Sequence, residues 1–217
     1  MLEQFGIIDP WLYAAGALLI VLAPGPSMVF VLKTSLTEGR ARGFAGMAGV
    51  MTGDSVFMFL SWAGLAAVIE AHPAFFDVIR VAGGLYLAWI GAKELMTLLP
   101  GRATAGKKEG EGSPSGSAWR AYRAALLITL TNPKSILFFV AFFIQFIDVT
   151  YAHTWISYLI LALILQVFSA AVLSIVITLG ADCLRVLGAW PLAAKAGSLA
   201  LGGLFLWFGL RLVADAL

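Results

Sequence analysis

The sequence predicts an all-α membrane protein whose six transmembrane helices form two inverted three-helix repeats. Three observations predict this fold class. Of the 217 residues, 61% are hydrophobic and only 12% are charged, with a mean hydropathy of +0.94, whereas soluble domains are about one quarter charged. The chain contains six apolar runs, each long enough to cross a bilayer. Short motifs of its first half also recur, in the same order, in its second half.

The six predicted spans are joined by short connections, with one exception. Residues 100–118 are rich in Gly, Ser, Pro and charged residues, so we expect a flexible cytoplasmic linker there. A single transmembrane domain is therefore predicted over 1–217, with a first three-helix repeat at 1–99 and a second at 119–217. The predicted spans are 11–32, 44–69, 75–99, 121–147, 153–180 and 194–214.

Two pairs of motifs predict the internal repeat. The string GGLYL at 83–87 in span three returns as GGLFL at 202–206 in span six. Ser27 in span one and Ser135 in span four each begin a short apolar string ending in Phe, just after a proline. Chance explains either match alone, but both together favour a duplicated unit. Because each unit has an odd number of spans, the second copy is inverted, as in secondary transporters whose site lies between the halves.

The positions of lysine and arginine predict the orientation of the chain in the membrane. Cytoplasmic loops carry an excess of these residues. Most of the 14 basic residues lie between spans one and two, around the long linker, or between spans five and six. This face is therefore predicted to be cytoplasmic. Both termini are accordingly predicted on the periplasmic side of a multi-pass protein of the cell inner membrane.

The first predicted span is interrupted at Ala23–Ser27. Two prolines and a glycine (Pro24, Gly25 and Pro26) break the hydrogen-bond ladder of a helix there. Such a break is tolerated at membrane depth only where the freed groups face protein or a wet cavity. A proline kink that simply packs is the alternative, and a second break later in the chain favours a substrate site.

The second break lies in span four, at Asn132, Pro133 and Lys134. Asn is a favoured N-cap and Pro a favoured first helical residue, so a new half-helix is expected to begin here. The N-termini of two half-helices would then approach the midplane from opposite sides and favour a carboxylate. In the alternative, serine or water satisfies these groups and nothing binds. The expected substrate-binding residues are Pro24, Gly25, Pro26, Ser27, Asn132, Pro133, Lys134 and Gln166.

Asp54 is predicted to lie near the middle of the bilayer, because it follows the cytoplasmic start of span two by about 15 Å. A carboxylate at that depth costs roughly 2.5–3.5 kcal/mol, so it should be neutral, paired or hydrated. We predict that Asp54 carries the coupling proton. A fixed ion pair with Lys134 is the alternative, and Lys134 could instead hold a substrate carboxylate.

Two further features of the spans are open to two interpretations each. Gln166 in span five lies near the repeat equivalent of Asp54 and could bind a polar substrate, although Gln within membranes more often joins helices. Span two carries a face of small residues, which close helix packing explains, with a homodimer contact as the alternative. The glycines of this face are Gly43, Gly46, Gly49 and Gly53.

Motifs of other protein classes are missing from the sequence. It has no phosphate-binding loop, no HExxH and no Ser–His–Asp set, so neither ATP hydrolysis nor an intramembrane enzyme is favoured. A non-transporting membrane scaffold is a third alternative. The single cysteine, Cys183, excludes a disulfide within the chain. No metal, cofactor or nucleic-acid partner is expected; the predicted partners are a small molecule, protons and the lipid bilayer.

The APGPS break, the following SLTEGRARGF, Gly53-Asp54 and TNPKSILFFVAFFIQFID together resemble the LysE/RhtB family of amino-acid exporters. The resemblance implies a six-helix inner-membrane fold and secondary active export of small amino acids by proton antiport. A neutral substrate such as threonine, homoserine or a leucine-like amino acid is favoured over a basic one, which would need a second carboxylate. The matched positions are Pro24, Gly25, Pro26, Asp54, Asn132, Pro133 and Lys134.

Overall fold

The computed structural model describes residues 3–23, 25–71, 73–96, 98, 117–132, 135, 138–139, 142–180 and 191–216. Within these ranges the protein is all-helical, as predicted, and its only β-type pairing is an isolated bridge between Ile7 and Ile147. The α-helices are α1 (Pro10–Leu22), α2 (Pro26–Glu38), α3 (Arg40–Ala71), α4 (Pro73–Met96), α5 (Ala118–Leu130), α6 (Thr154–Thr178) and α7 (Pro191–Ala216). Short 3-10 helices lie at Glu3–Phe5 and Ile144–Phe146.

Several predictions concern positions outside these ranges. They are Pro24, Pro133, Lys134, linker residues 100–116 and Cys183.

Two helices in the described part of the chain are long and apolar enough to cross a membrane. They are the Arg40–Gly64 part of α3 and the whole of α6. Helices α1 and α2 give a third candidate if they form one broken span, and their axes differ by 51°. The arrangement as two inverted repeats stays a prediction.

Proline marks the start of many of these helices. Residues Pro10, Pro26, Pro73 and Pro191 are each the first residue of an α-helix. Proline suits this position because its missing N–H has no partner in the first turn anyway. Helix α2 ends before Gly39, whose φ of +96° is readily adopted only by glycine.

A large aromatic cluster forms the main core. It joins α1 and α6 to the segment between α5 and α6, and its buried rings are Tyr13, Phe57, Phe138, Phe139, Phe142, Phe143, Phe146, Tyr158 and Phe205. The centroids of Phe138 and Phe142 are 4.7 Å apart, and those of Tyr13 and Phe146 are 5.2 Å apart. The Tyr13 hydroxyl donates to the Leu161 carbonyl oxygen at 2.6 Å, so its one polar group is satisfied inside the core.

The glycine face of α3 packs within the chain. A Cβ on Gly43 would come within 2.8 Å of the Ser35 Cβ in α2. A Cβ on Gly53 would come within 2.7 Å of the Thr129 Cγ2 in α5, and one on Gly49 would collide with the Tyr122 carbonyl oxygen. Close packing against α2 and α5 therefore uses this face, as the first of its two interpretations predicts.

Helices α4 and α7 form the most extensive helix–helix contact and carry the two copies of the Gly-Gly-Leu motif. A Cβ on Gly91 would meet the Leu206 amide nitrogen at 2.5 Å, and one on Gly209 would meet the Ala88 amide nitrogen at 2.5 Å. Each copy also places a cation over its own tryptophan. Lys93 lies 5.0 Å from the Trp89 ring centroid, and Arg211 lies 5.5 Å from that of Trp207. The two motifs thus make matching contacts.

Candidate functional site

The break between α1 and α2 places the first turn of α2 at the predicted interruption of span one. Helix α1 ends with the Ala23 amide bonded to the carbonyl oxygens of its last turn. Gly25 is the N-cap of α2 and Pro26 its first residue, and no side chain caps the helix. The Val29 amide bonds the Gly25 carbonyl oxygen at 3.0 Å. The amides of Ser27 and Met28, which directly precede Val29 in the first turn, have no backbone hydrogen-bond partner outside the helix among the described residues.

The chain also leaves its helix at the second predicted break. Helix α5 ends at Leu130, and the Asn132 amide bonds the Thr129 carbonyl oxygen at 3.2 Å. The Asn132 carbonyl oxygen then accepts from the Ser135 amide at 3.0 Å. Asn132 is the residue predicted to be the N-cap of the second half-helix, and that role stays a prediction.

A cavity of ≈ 130 Å³ lies where these two breaks meet α3 and α6. An engineered cavity of roughly 150 Å³ holds a benzene ring, so this one has room for a small organic group. Its polar lining is Asp54, Ser27, Asn132, Ser135 and Ser169. Its apolar lining includes Ile20, Val21, Val50, Phe138, Phe139, Leu165 and Leu173.

The structure brings most of the predicted site residues to this one cavity. Gly25, Pro26, Ser27 and Asn132 line it, together with Asp54. The other three predicted residues at the breaks lie outside the described ranges.

Gln166, the remaining predicted substrate-binding residue, does not line this cavity. Its amide nitrogen donates to the Met51 carbonyl oxygen at 2.8 Å and to the Ser55 hydroxyl at 2.7 Å. It borders a separate apolar groove between α3 and α6. These contacts are those of a residue that joins two helices, the second interpretation of Gln166.

Asp54 has no hydrogen bond or ion pair with any described residue. The ion pair seen in the described part of the chain joins Arg42 to Glu38 at 3.8 Å, at the junction of α2 and α3. Gly53, the neighbour of Asp54, packs on Thr129, so α3 lies close to α5 at this level. The carboxyl group therefore borders the cavity with no described side chain or backbone group bonded to it.

Ser169 is a lining residue that the sequence reasoning missed. It is only 4% exposed, and its hydroxyl has no partner among the described residues. The buried stripe of α6 is otherwise aliphatic in its central turns: Leu161, Leu165, Leu173 and Ile177. In the sequence, Ser169 could have been found as a serine four residues from Leu165 and Leu173 in an otherwise aliphatic stripe. A polar side chain inside a membrane protein is costly to bury, so it is often functional.

Comparison with known proteins gives the family of the chain. The model of the LysE type translocator family matches residues 18–216. A protein of Enterobacter sp. (strain 638) named "Leucine efflux protein" is 42% identical over 214 residues, covering 99% of each chain. Proteins with the same name from Salmonella typhimurium (strain LT2) and Klebsiella pneumoniae are 41% and 39% identical, each over 98% of both chains. No solved structure matches the chain.

The residues matched by the family model include both breaks, Asp54 and the part of α6 that lines the cavity. They also include the helices that are apolar enough to span a membrane. The protein is thus a multi-pass membrane transporter and not an enzyme, and it belongs to the LysE type translocator family.

Proposed function

We propose that the protein exports leucine or a similar neutral amino acid from the cytoplasm in exchange for protons, through the cavity at the two helix breaks. The observation that carries this proposal is the composition of the cavity wall. One acidic side chain without a described partner stands among hydroxyl and amide groups, next to aliphatic and aromatic side chains. The relatives named leucine efflux proteins support a leucine-like substrate.

The two ends of a zwitterion find complementary groups in this cavity. The amides of Ser27 and Met28 stand at the positive end of α2, which favours the substrate carboxylate. Asp54 is the charged group available to the substrate ammonium. Pro24, Pro133 and Lys134 complete the proposed binding region on the grounds given by the sequence, with Lys134 as a second partner for the carboxylate.

An aliphatic side chain suits the remaining wall. Ile20, Val21 and Leu165 present apolar surface, and Phe138 and Phe139 close the same side. Burying a leucine side chain there removes it from water, which is worth roughly 1.5–3 kcal/mol. A lysine side chain would place a second ammonium against these groups, where the described lining offers a single carboxylate.

Proton exchange follows from competition for Asp54. When the carboxyl group is ionised it attracts the substrate ammonium, and when it is protonated this attraction is lost. Protonation from the periplasmic side would thus release the amino acid outward, and deprotonation toward the cytoplasm would restore the binding site. In this proposal the two three-helix repeats lie in the inner membrane, inverted relative to each other, with both termini in the periplasm.

Counterflow in proteoliposomes tests the proposal. Vesicles loaded with unlabelled leucine should accumulate labelled leucine, with smaller accumulation of threonine or homoserine and little of lysine or arginine. An imposed pH gradient should change the rate of net leucine movement. A membrane scaffold would give no flux with any amino acid, and preferential lysine flux would instead identify an exporter of basic amino acids.

A further inference from the structure

Ser169 of α6 is a buried residue that lines the cavity, and its hydroxyl group makes no hydrogen bond with any described residue. Several other hydroxyl groups of the structure behave differently. Those of Thr37, Thr52, Ser55, Thr131 and Thr178 each donate to the carbonyl oxygen four residues earlier. A hydroxyl group without such a bond keeps both its donor and its acceptor capacity. In a cavity wall, such a hydroxyl group is available to a ligand.

Ser169 lies at a height in the fold similar to that of Asp54. Helices α3 and α6 run antiparallel. Three polar contacts show this, because the residue number on α6 increases as the residue number on α3 decreases. The contact pairs are Ser61 with Tyr158, Met51 with Gln166, and Met47 with Ser174. Interpolation between the last two pairs puts Ser169 about 7 Å along the helix axis from the level of Asp54, a little more than one helical turn. The two side chains therefore border the cavity from two helices at similar depth.

We infer that Ser169 is a specificity-determining residue, whose neutral hydroxyl binds the polar end of the substrate and leaves the cavity with one acidic group for one ammonium. The inference rests on the proposed function and deepens it. A hydroxyl donates to a carboxylate or accepts from an ammonium without adding charge. A carboxylate at position 169 would instead pair with the second ammonium group of a basic amino acid such as lysine. Residue 169 thus distinguishes neutral from basic amino acids by its charge.

A pair of isosteric substitutions separates charge from shape. Ser169→Asp and Ser169→Asn differ in charge and little in size. We expect Ser169→Asp to raise lysine counterflow about tenfold over wild type and to lower leucine counterflow. Ser169→Asn should show no gain for lysine. If Ser169→Asp inserts correctly and keeps the wild-type ratio of leucine to lysine, or if both variants gain lysine flux equally, the inference is wrong.

Ser169→Ala decides the matter independently, even if the charged variant fails to insert. Losing one hydrogen bond to a charged group should raise the KM for leucine roughly tenfold, while the maximal rate changes less. Ser174→Ala serves as the control, because Ser174 lies on the same helix, bonds the Met47 sulfur and does not line the cavity. An unchanged KM in Ser169→Ala overturns the inference. Absence of leucine transport in the wild type would instead overturn the proposed function.

Discussion

The hydroxyl oxygens of Ser27 and Thr129 lie 3.1 Å apart and join the first turn of α2 to the last turn of α5. The two helix ends that border the breaks are thereby held together. Thr129 is only 1% exposed, and its methyl group faces Gly53 on α3. One buried contact thus connects three helices beside Asp54 and sets the positions of the groups that line the cavity.

Replacing Thr129 by valine should destabilise the protein. The substitution keeps the shape of the side chain but removes the hydroxyl, which leaves the Ser27 hydroxyl without this partner. We expect a loss of about 1 kcal/mol in the free energy of unfolding, measured by thermal or denaturant unfolding in detergent. Thr131→Val is the control, because its hydroxyl is exposed and bonds the Leu127 carbonyl oxygen of its own helix. Equal effects of the two variants would contradict the assigned contact.

Adding one methyl group to Gly49 should disturb the contact between α3 and α5. The new Cβ would collide with the Tyr122 carbonyl oxygen, a backbone atom that cannot move alone. Overpacking of this kind costs about 2 kcal/mol. Gly64→Ala provides the comparison on the same helix, because no described atom lies within 4 Å of its added Cβ. Unfolding midpoints should fall for Gly49→Ala and stay unchanged or rise for Gly64→Ala; a fall of the same size in both would contradict the packing described.

The helix starts were predictable from the sequence because proline acts locally. Pro26 is the first residue of α2. A proline favours this position through its own missing N–H and fixed φ, which do not depend on tertiary contacts. The sequence also predicted similar depths for the two breaks, which contain Ser27 and Asn132, and for Asp54 in span two, and the three residues line one cavity.

The choice between Gln166 and Ser169 was not predictable in the same way. The predicted repeat matches α6 with the helix that carries Asp54, but the two motif pairs have different separations along the chain. The residue of α6 that corresponds to Asp54 is therefore defined only to within several positions. Three residues rotate a side chain by about 300° around a helix. Packing of α6 against α3 decides which residue faces the cavity, and it directs Gln166 to Met51 and Ser55 instead.

Asp54→Asn should separate substrate movement from proton movement. The amide is close in size to the carboxyl group but cannot carry a proton at physiological pH. We expect the variant to insert normally, to lose the response of leucine export to an imposed pH gradient, and to bind leucine more weakly. Proteoliposomes with and without the gradient provide the measurement. Proton-driven export at the wild-type rate would exclude Asp54 as the coupling residue.

Asp148, in the connection before α6, should give a stability contribution that depends on pH. Its carboxylate accepts from the Thr150 hydroxyl at 2.6 Å and from the Thr150 amide at 2.9 Å, and these bonds hold its pKa below the usual value. The folded pKa is thus below the unfolded value of about 3.9. The stabilisation is therefore present above that value and is lost as the pH falls through the folded pKa.

The difference in Tm between wild type and Asp148→Asn tests this directly. It should be largest above about pH 5 and shrink as the solution is acidified below about pH 4. Thr150→Val should reproduce the same trend, since it removes the hydroxyl bond from the other side. A difference in Tm that does not vary with pH would show that the carboxylate contributes through something other than its charge.

Protection of a cysteine by substrate most directly tests whether leucine occupies the cavity. Ser27→Cys, in a Cys183→Ser background that retains transport, places a thiol in the cavity wall for modification by a thiosulfonate reagent. Leucine should slow the modification with a concentration dependence matching its KM, while lysine has little effect. Thr37→Cys, at the exposed far end of α2, should react at the same rate with or without leucine. If leucine is still transported but leaves the rate at position 27 unchanged, the substrate does not pass through this cavity.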